Sequence, residues 1–303
     1  MKKLLILLLA LALGGAGALA ETETPSAGQA LEVGAFVQLS PRVAYDPDAP
    51  SEGTFYEGEI DLDGDGTMEK ISYTYTLRDY NYAFTLSVNG VQVTREDALY
   101  LTGELGAVRF EGVDGALLLV ADNGASEDPM SYVYHYVAGE EGATLGDLGI
   151  VDAFPSDMTV TGRNTFTAYV RASTLCTWWR PADFVVAAGY RWNDEETYAM
   201  TYAVAEVPRD LYPVGAHVAL KADLPLMTSR ADETICRTLR AGEEAVIAAT
   251  DDREWYYIVA PTDDYETPGG GWFRLAPDSL TSVRVGDAAV EGYELFDGLL
   301  YAD

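Results

Sequence analysis

Across residues 34–207 apolar side chains recur at every second position in short runs broken by Gly, Asp, Asn and Pro, with hardly a helical period among them. Residues two apart on an extended chain share a face, so this is the pattern of half-buried strands. Residues 82–88 (YAFTLSV) alternate, then meet Asn89-Gly90 and a second run, VQV. Asn-Gly accepts the positive φ angles of a two-residue turn, which predicts a hairpin at this point. Residues 57–62, 70–77, 131–137 and 165–171 also read as strands, and the wholly apolar 116–120 (ALLLV) reads as a strand buried on both faces. One helix is expected, over residues 94–101 (TREDALYL), with Thr94 as its cap and Asp97 three residues on.

The pattern changes at both ends. Residues 1–20 carry two lysines, a Leu/Ala-rich run and Ala18-Leu19-Ala20, the plan of a cleaved secretory signal peptide; an uncleaved membrane anchor is the alternative. Residues 21–33 read as a flexible lead-in. Proline and glycine concentrate in 207–215 (VPRDLYPVG), which predicts a linker over 208–218. A second strand-rich unit follows over 219–280, and a tail, 281–303, holds enough apolar residues to dock as an extra hairpin.

One stretch stands out, residues 60–71 (IDLDGDGTMEKI). Asp61, Asp63 and Asp65 alternate, Gly66 follows at once, and Thr67 and Glu69 complete an oxygen-donor spacing suited to calcium. That ion takes six to eight hard oxygens and needs the chain to turn sharply at a glycine. A helix–loop–helix calcium site would place a glutamate at the twelfth position, where Ser72 stands, and the flanks here read as strands. The alternative is a plain Asp/Gly turn with no metal, because Asp-Gly pairs form turns unaided. Residues 108–116 (VRFEGVDGA) look like a worn copy of this context that has lost most of its donors.

The D-x-D-x-D-G-x-x-E loop between strands resembles the integrin-type FG-GAP or VCBS repeat, although that family usually closes the loop with aspartate. The resemblance implies that Asp61, Asp63, Asp65, the Thr67 carbonyl and Glu69 bind calcium on a propeller blade. Farther on, 239–247 (LRAGEEAVI), 255–259 (WYYIV) and 271–275 (GWFRL) follow in the order of a bacterial Src-homology-3-like domain. That second resemblance implies a small barrel that binds cell-wall polymer or protein. The expected fold is therefore mainly β. It has a partial propeller-like or sandwich β domain over 34–207 and a small Src-homology-3-like β barrel over 219–280.

Charge narrows the partners. The chain carries −30, and cleavage after residue 20 removes Lys2 and Lys3 and moves this to −32. Such a field repels nucleic acid and anionic membranes, so neither is expected as a partner. The two cysteines, Cys176 and Cys236, admit a bridge between the two units or two separate thiols. There is no Gly-x-Ser-x-Gly, no His-Glu-x-x-His and no phosphate-cradling glycine loop. His135 alternates with Val133 and Val137, as a packed core imidazole would, and His217 falls in the linker. Trp178, Trp179, Trp192, Trp255 and Trp272 are candidate ligand platforms, with strand and barrel packing as the competing role. The expectation is a non-enzymatic, exported, calcium-binding protein of the cell surface that binds wall polymer or another surface protein. The alternative is a secreted hydrolase acting on wall glycan or peptide through an acidic cleft.

Overall fold

A computed structural model describes residues 30–43, 50–78, 81–124, 128–139, 142–172, 174–192, 198–260 and 269–300. The expected signal peptide lies outside these residues, as does most of the lead-in. Residues 30–33 of the lead-in are docked: Leu31 is buried and its N–H bonds the Asp61 carbonyl at 2.9 Å.

After β1 (Phe36–Ser40) the chain makes three successive antiparallel meanders. The first is β2 (Glu52–Ile60), β3 (Glu69–Arg78), β4 (Asn81–Val88) and β5 (Val91–Ala98). The second is β6 (Leu101–Val108), β7 (Ala116–Asn123), β8 (Pro129–Val137) and β9 (Thr144–Val151), with β1 added beside β6. The third is β10 (Thr159–Val160), β11 (Thr165–Ala172), β12 (Trp178–Trp192) and β13 (Tyr198–Val207).

The middle sheet is covered on both faces, which is why β6 and β7 are buried almost from end to end and β7 opens as the continuous apolar run ALLLV. Leu118, Val120, Tyr132 and Tyr134 share one core with Ile71, Tyr73, Phe84 and Leu86 of the first sheet. Leu117, Leu119 and Val133, one residue out of step, share a second core with Phe166, Val170, Phe184 and Val186 of the third sheet. The period of two thus sorts one sheet's side chains into two interfaces. Four-stranded meanders packed face on face are consistent with either a β sandwich or a partial propeller.

The Asn89-Gly90 hairpin forms as expected, with φ 50° and 84° joining β4 to β5. The helix expected over 94–101 does not form. Residues up to Ala98 continue β5, with Thr94 opposite Thr85 and Arg95 opposite Phe84. Thr94 and Glu96 lie on the solvent face of that strand, so the polar residues that mimic a helix cap are simply its outward set. Pairing across the hairpin overrides the local helix preference.

The C-terminal unit is one seven-stranded sheet. It contains β14 (Tyr212–Leu220), β15 (Leu224–Met227), β16 (Ile235–Leu239), β17 (Glu244–Thr250), β18 (Trp255–Ala260) and β19 (Gly269–Arg274). After the hairpin β20 (Ser282–Val285) and β21 (Ala288–Glu291) and one turn of helix, α1 (Gly292–Leu295), β22 (Phe296–Asp297) closes it against β14. A single core takes Val218, Leu226, Leu239, Ile247, Ile258, Phe273 and Phe296, at least one residue from each strand, so the sheet curls around it as a half-barrel. The tail therefore docks through Leu295, Phe296 and Leu299.

The linker expected over 208–218 is shorter than its composition implied. From Tyr212 onward it is β14, and Pro213 and Gly215 mark a bulge where the register to β17 shifts. Proline is tolerated at such a site because no ladder bond is lost there.

The barrel is also joined to the third sheet. Ala172, Leu175, Cys176 and Trp178 enter the barrel core, and the Tyr256 hydroxyl donates to the Thr174 carbonyl at 2.7 Å. Arg180, 8 % exposed, donates through Nε to Asp252 at 2.8 Å and through both terminal nitrogens to Glu206 at 2.8 and 3.2 Å, while lying over the Tyr212 ring. The two cysteines are separate thiols. Cys176 is buried in the barrel core and Cys236 is exposed on β16.

Candidate functional site

The acidic stretch is the loop joining β2 to β3. Gly64 and Gly66 hold φ of 78° and 88°, the left-handed backbone a side chain rarely adopts, and this folds the loop back on itself. The Asp61 carboxylate accepts the Gly64 N–H at 2.6 Å and the Gly66 N–H at 3.0 Å. Asp63 accepts from Asp65 N–H at 3.1 Å and Asp65 from Thr67 N–H at 2.6 Å. Glu69, 2 % exposed, accepts the Leu62 N–H at 2.7 Å and so ties the two ends of the loop together.

As a result, one carboxylate oxygen each from Asp61, Asp63 and Asp65 lies within 4.8 Å of the others. Among the described residues this is the one such group of three or more metal-ligating side chains. Two oxygens on a single calcium, each about 2.4 Å from it, cannot be farther apart than roughly twice that bond, and the three aspartates meet this bound. The donor set, all hard oxygens, fits calcium. Glu69 stands outside the trio, with one oxygen committed to Leu62. Burial, opposed by that Leu62 bond and reinforced by Asp63, Asp61 and Asp65, pushes its carboxyl above the usual range. Three like charges beside a buried fourth repel one another, and a divalent cation would relieve that repulsion.

Neighbouring sheets hold the loop in place. The Arg109 guanidinium, from the turn between β6 and β7, packs against Gly64, where a Cβ would collide with it, and donates to the Leu31 carbonyl at 3.1 Å. The Asn89 side chain accepts from Lys70 N–H at 2.8 Å and donates to the buried Tyr136 hydroxyl at 3.3 Å. The region that looked like a worn copy, residues 108–116, is the same first hairpin of the second meander. It in turn touches the first hairpin of the third, through Gly112 N–H to the Arg163 carbonyl at 2.8 Å. Three equivalent turns thus line one end of the stack, and only the first keeps the full acidic pattern. Arg109 and Tyr136 carried no sequence signal for this role, because their closeness to the loop comes from the stacking of the sheets, and Asn89 was legible only as a turn residue.

The tryptophans separate by environment. Trp178 and Trp255 are buried, at 4 % and 7 % exposure, and Trp272 is half-buried beside Tyr257 with Arg230 over its ring. The Trp192 side chain lies outside the described residues. Trp179 is 42 % exposed, on the outer face of the third sheet with Tyr169. His135 is a packed imidazole: Nε2 sits 2.6 Å from the Asp114 carbonyl oxygen, the ring meets Tyr202, and burial lowers its pKa. His217 lies exposed on β14. The buried acids Asp122 and Glu104 serve the framework, Asp122 binding the Leu99 and Tyr100 amides and Glu104 the Ser156 amide and Arg42. Among the described residues no helix is long and apolar enough to cross a membrane.

Comparison of the chain with protein-family models, with curated proteins and with solved structures returned no match.

Proposed function

We propose that this chain is a non-enzymatic, exported, calcium-binding protein that serves as a binding module at the cell surface. The observation carrying this reading is the convergence of the Asp61, Asp63 and Asp65 carboxylates, within 4.8 Å of one another, on a hairpin turned by Gly64 and Gly66. Asp61, Asp63, Asp65 and the Thr67 carbonyl would hold the ion, and Glu69 would hold the Leu62 amide or supply a further oxygen. Bound calcium supplies no reaction. It neutralises the clustered charge and fixes the β2–β3 hairpin against Arg109.

The kinship with FG-GAP/VCBS repeats is supported by the position of this loop in a four-stranded meander stacked on another. The kinship with Src-homology-3-like modules is supported by a curled C-terminal sheet that places Tyr256, Ile258 and Phe273 inward. On these resemblances the barrel would tether the chain to wall polymer or to another surface protein. Calcium sites in extracellular modules have dissociation constants of about 0.1–1 mM. At about 10 mM calcium such a site stabilises by roughly 1.4–2.7 kcal/mol. Thermal melting in calcium against chelator tests this. The melting temperature should rise with calcium, and Asp63→Ala with Asp65→Ala should abolish the rise. Equal melting of the unmodified chain in both conditions would remove the calcium reading.

A further inference from the structure

A second feature lies away from the acidic loop. Tyr169 on β11 and Trp179 on β12 are 60 % and 42 % exposed, the largest aromatic surface left in water among the described strand residues. Their register places Arg171 opposite Trp179 and Tyr169 opposite Pro181, so the two rings are diagonal neighbours on one sheet face. This face turns away from the core, which takes the alternate residues Ala168, Val170 and Ala182. The rings form one wall of a cleft of about 370 Å³, whose other lining residues are Arg42, Pro129, Phe154 and Asp157.

The polar part of the lining is Arg42 and Asp157, and Arg42 is held in place on several sides. The Arg42 guanidinium lies flat on the Phe154 ring, 3.6 Å from its centre. Its Nε donates to Glu104, whose side chain is fully buried, at 3.1 Å, and its Nη2 donates to the Ser156 hydroxyl at 3.0 Å. Nη1 has no acceptor among the described residues. The Asp157 carboxylate stands 3.9 Å from Nη2, a loose ion pair on the rim. Arg42 is therefore aimed into the cleft by a buried acid rather than left to wander, and a donor and an acceptor are offered side by side.

That combination selects a chemistry. An anion would meet Asp157 and Glu104 and the excess negative charge of the chain, and a cation would have to displace Arg42 from a buried partner. A neutral ligand with flat apolar faces and a rim of hydroxyls leaves both charges compensated. The C–H faces of a sugar ring carry partial positive charge and are attracted to the negative faces of aromatic rings. Adjacent hydroxyls can accept from a guanidinium and donate to a carboxylate through charge-assisted bonds. A cleft of this volume falls at the small end of ligand sites, which span about 300–1,000 Å³. We infer that the cleft formed by Arg42, Pro129, Phe154, Asp157, Tyr169 and Trp179 binds a neutral glycan, with sugar faces stacked on Trp179 and Tyr169 and hydroxyls shared between Arg42 and Asp157. This deepens the surface-binding role proposed above by naming its ligand class, and it does not require the acidic loop to hold a metal.

The test is calorimetric titration of the whole chain with soluble cello-, chito-, malto- and manno-hexaose, and with decaproline as the peptide comparison. At least one hexasaccharide should bind with a dissociation constant of about 1 mM or tighter. Trp179→Ala and Tyr169→Ala, both at exposed positions, should each weaken it by about tenfold or more with unchanged melting temperature. Failure of all four sugars, an affinity in both alanine variants equal to that of the unmodified chain, or Trp179-dependent binding of decaproline alone would overturn the assignment. Repeating the titration in chelator separates the two readings. No sugar binding in either condition with calcium-dependent melting intact refutes the cleft only, and calcium-independent melting with intact sugar binding refutes the loop only.

Discussion

Replacing Arg180 by methionine should loosen the joint between the third sheet and the barrel. The arginine is 8 % exposed and bridges Asp252 on the barrel to Glu206 on β13. Methionine keeps the stem but removes the guanidinium that lies over Tyr212 and leaves both carboxylates without their cation. Removing one partner of a buried ion pair costs about 3–5 kcal/mol. The present case belongs at the lower end, because the Glu206 side chain is 32 % exposed and Asp252 keeps its bond from the Thr174 hydroxyl at 2.7 Å. A loss of about 3 kcal/mol is expected, which for a chain of this size is a fall in melting temperature of roughly 6–12 °C. Urea unfolding followed by tryptophan fluorescence reads it directly, since Trp178 lies in the barrel core and Trp255 is buried on β18. The triple variant Arg180→Met, Asp252→Asn, Glu206→Gln should recover more than half of the loss, because the uncompensated charges are gone. A single-variant loss below about 0.5 kcal/mol, the range of ordinary surface changes, would show that the bridge is not what couples sheet to barrel.

Three further outcomes follow from the packing. Burial holds the His135 pKa below 6.5, so the unfolded chain binds this proton more readily and the stability contributed by neutral His135 is present above pH 6.5 and lost as pH falls through its folded pKa. His135→Gln should flatten that part of the stability–pH curve, and an unchanged curve by thermal melting between pH 7 and 5 would contradict the assignment. Gly115 holds φ 75° with the Tyr136 carbonyl where a Cβ would go, so Gly115→Ala should cost at least about 2 kcal/mol in urea unfolding; an unperturbed midpoint would mean the turn can move. Exposed Cys236 should react with iodoacetamide in the native protein, while Cys176, buried and with its thiol pushed up to about 11, should react only after unfolding; a mass increment of two labels on native protein would be inconsistent with this core.

Most strand positions were legible because burial on one face imposes a period of two, and the Asn89-Gly90 turn because it needs positive φ. β7 was legible as a buried run for the opposite reason, having no solvent face. Residues 94–98 misled because Thr94 and Glu96 are polar for facing water, which a helix cap and a strand's outer face share. Pro213 and Gly215 marked a bulge within β14 rather than a linker, since both residues serve wherever the ladder is broken. The entry of Ala172, Leu175, Cys176 and Trp178 into the barrel core had no local signal, being a contact between segments some eighty residues apart, as Tyr256 and Thr174 are. The same holds for the two candidate sites. The three aspartates could be read from their spacing alone, whereas Arg42, Phe154 and Asp157 meet Tyr169 and Trp179 only after the second and third sheets have stacked.

The central claim is that Asp61, Asp63 and Asp65 share one divalent ion. Isothermal titration of chelator-treated protein with calcium tests it most directly, run beside the Asp63→Ala, Asp65→Ala variant. One site per chain is expected, with a dissociation constant of about 1 mM or tighter, absent from the variant. No binding to the unmodified chain, or binding that survives loss of both aspartates, would contradict it.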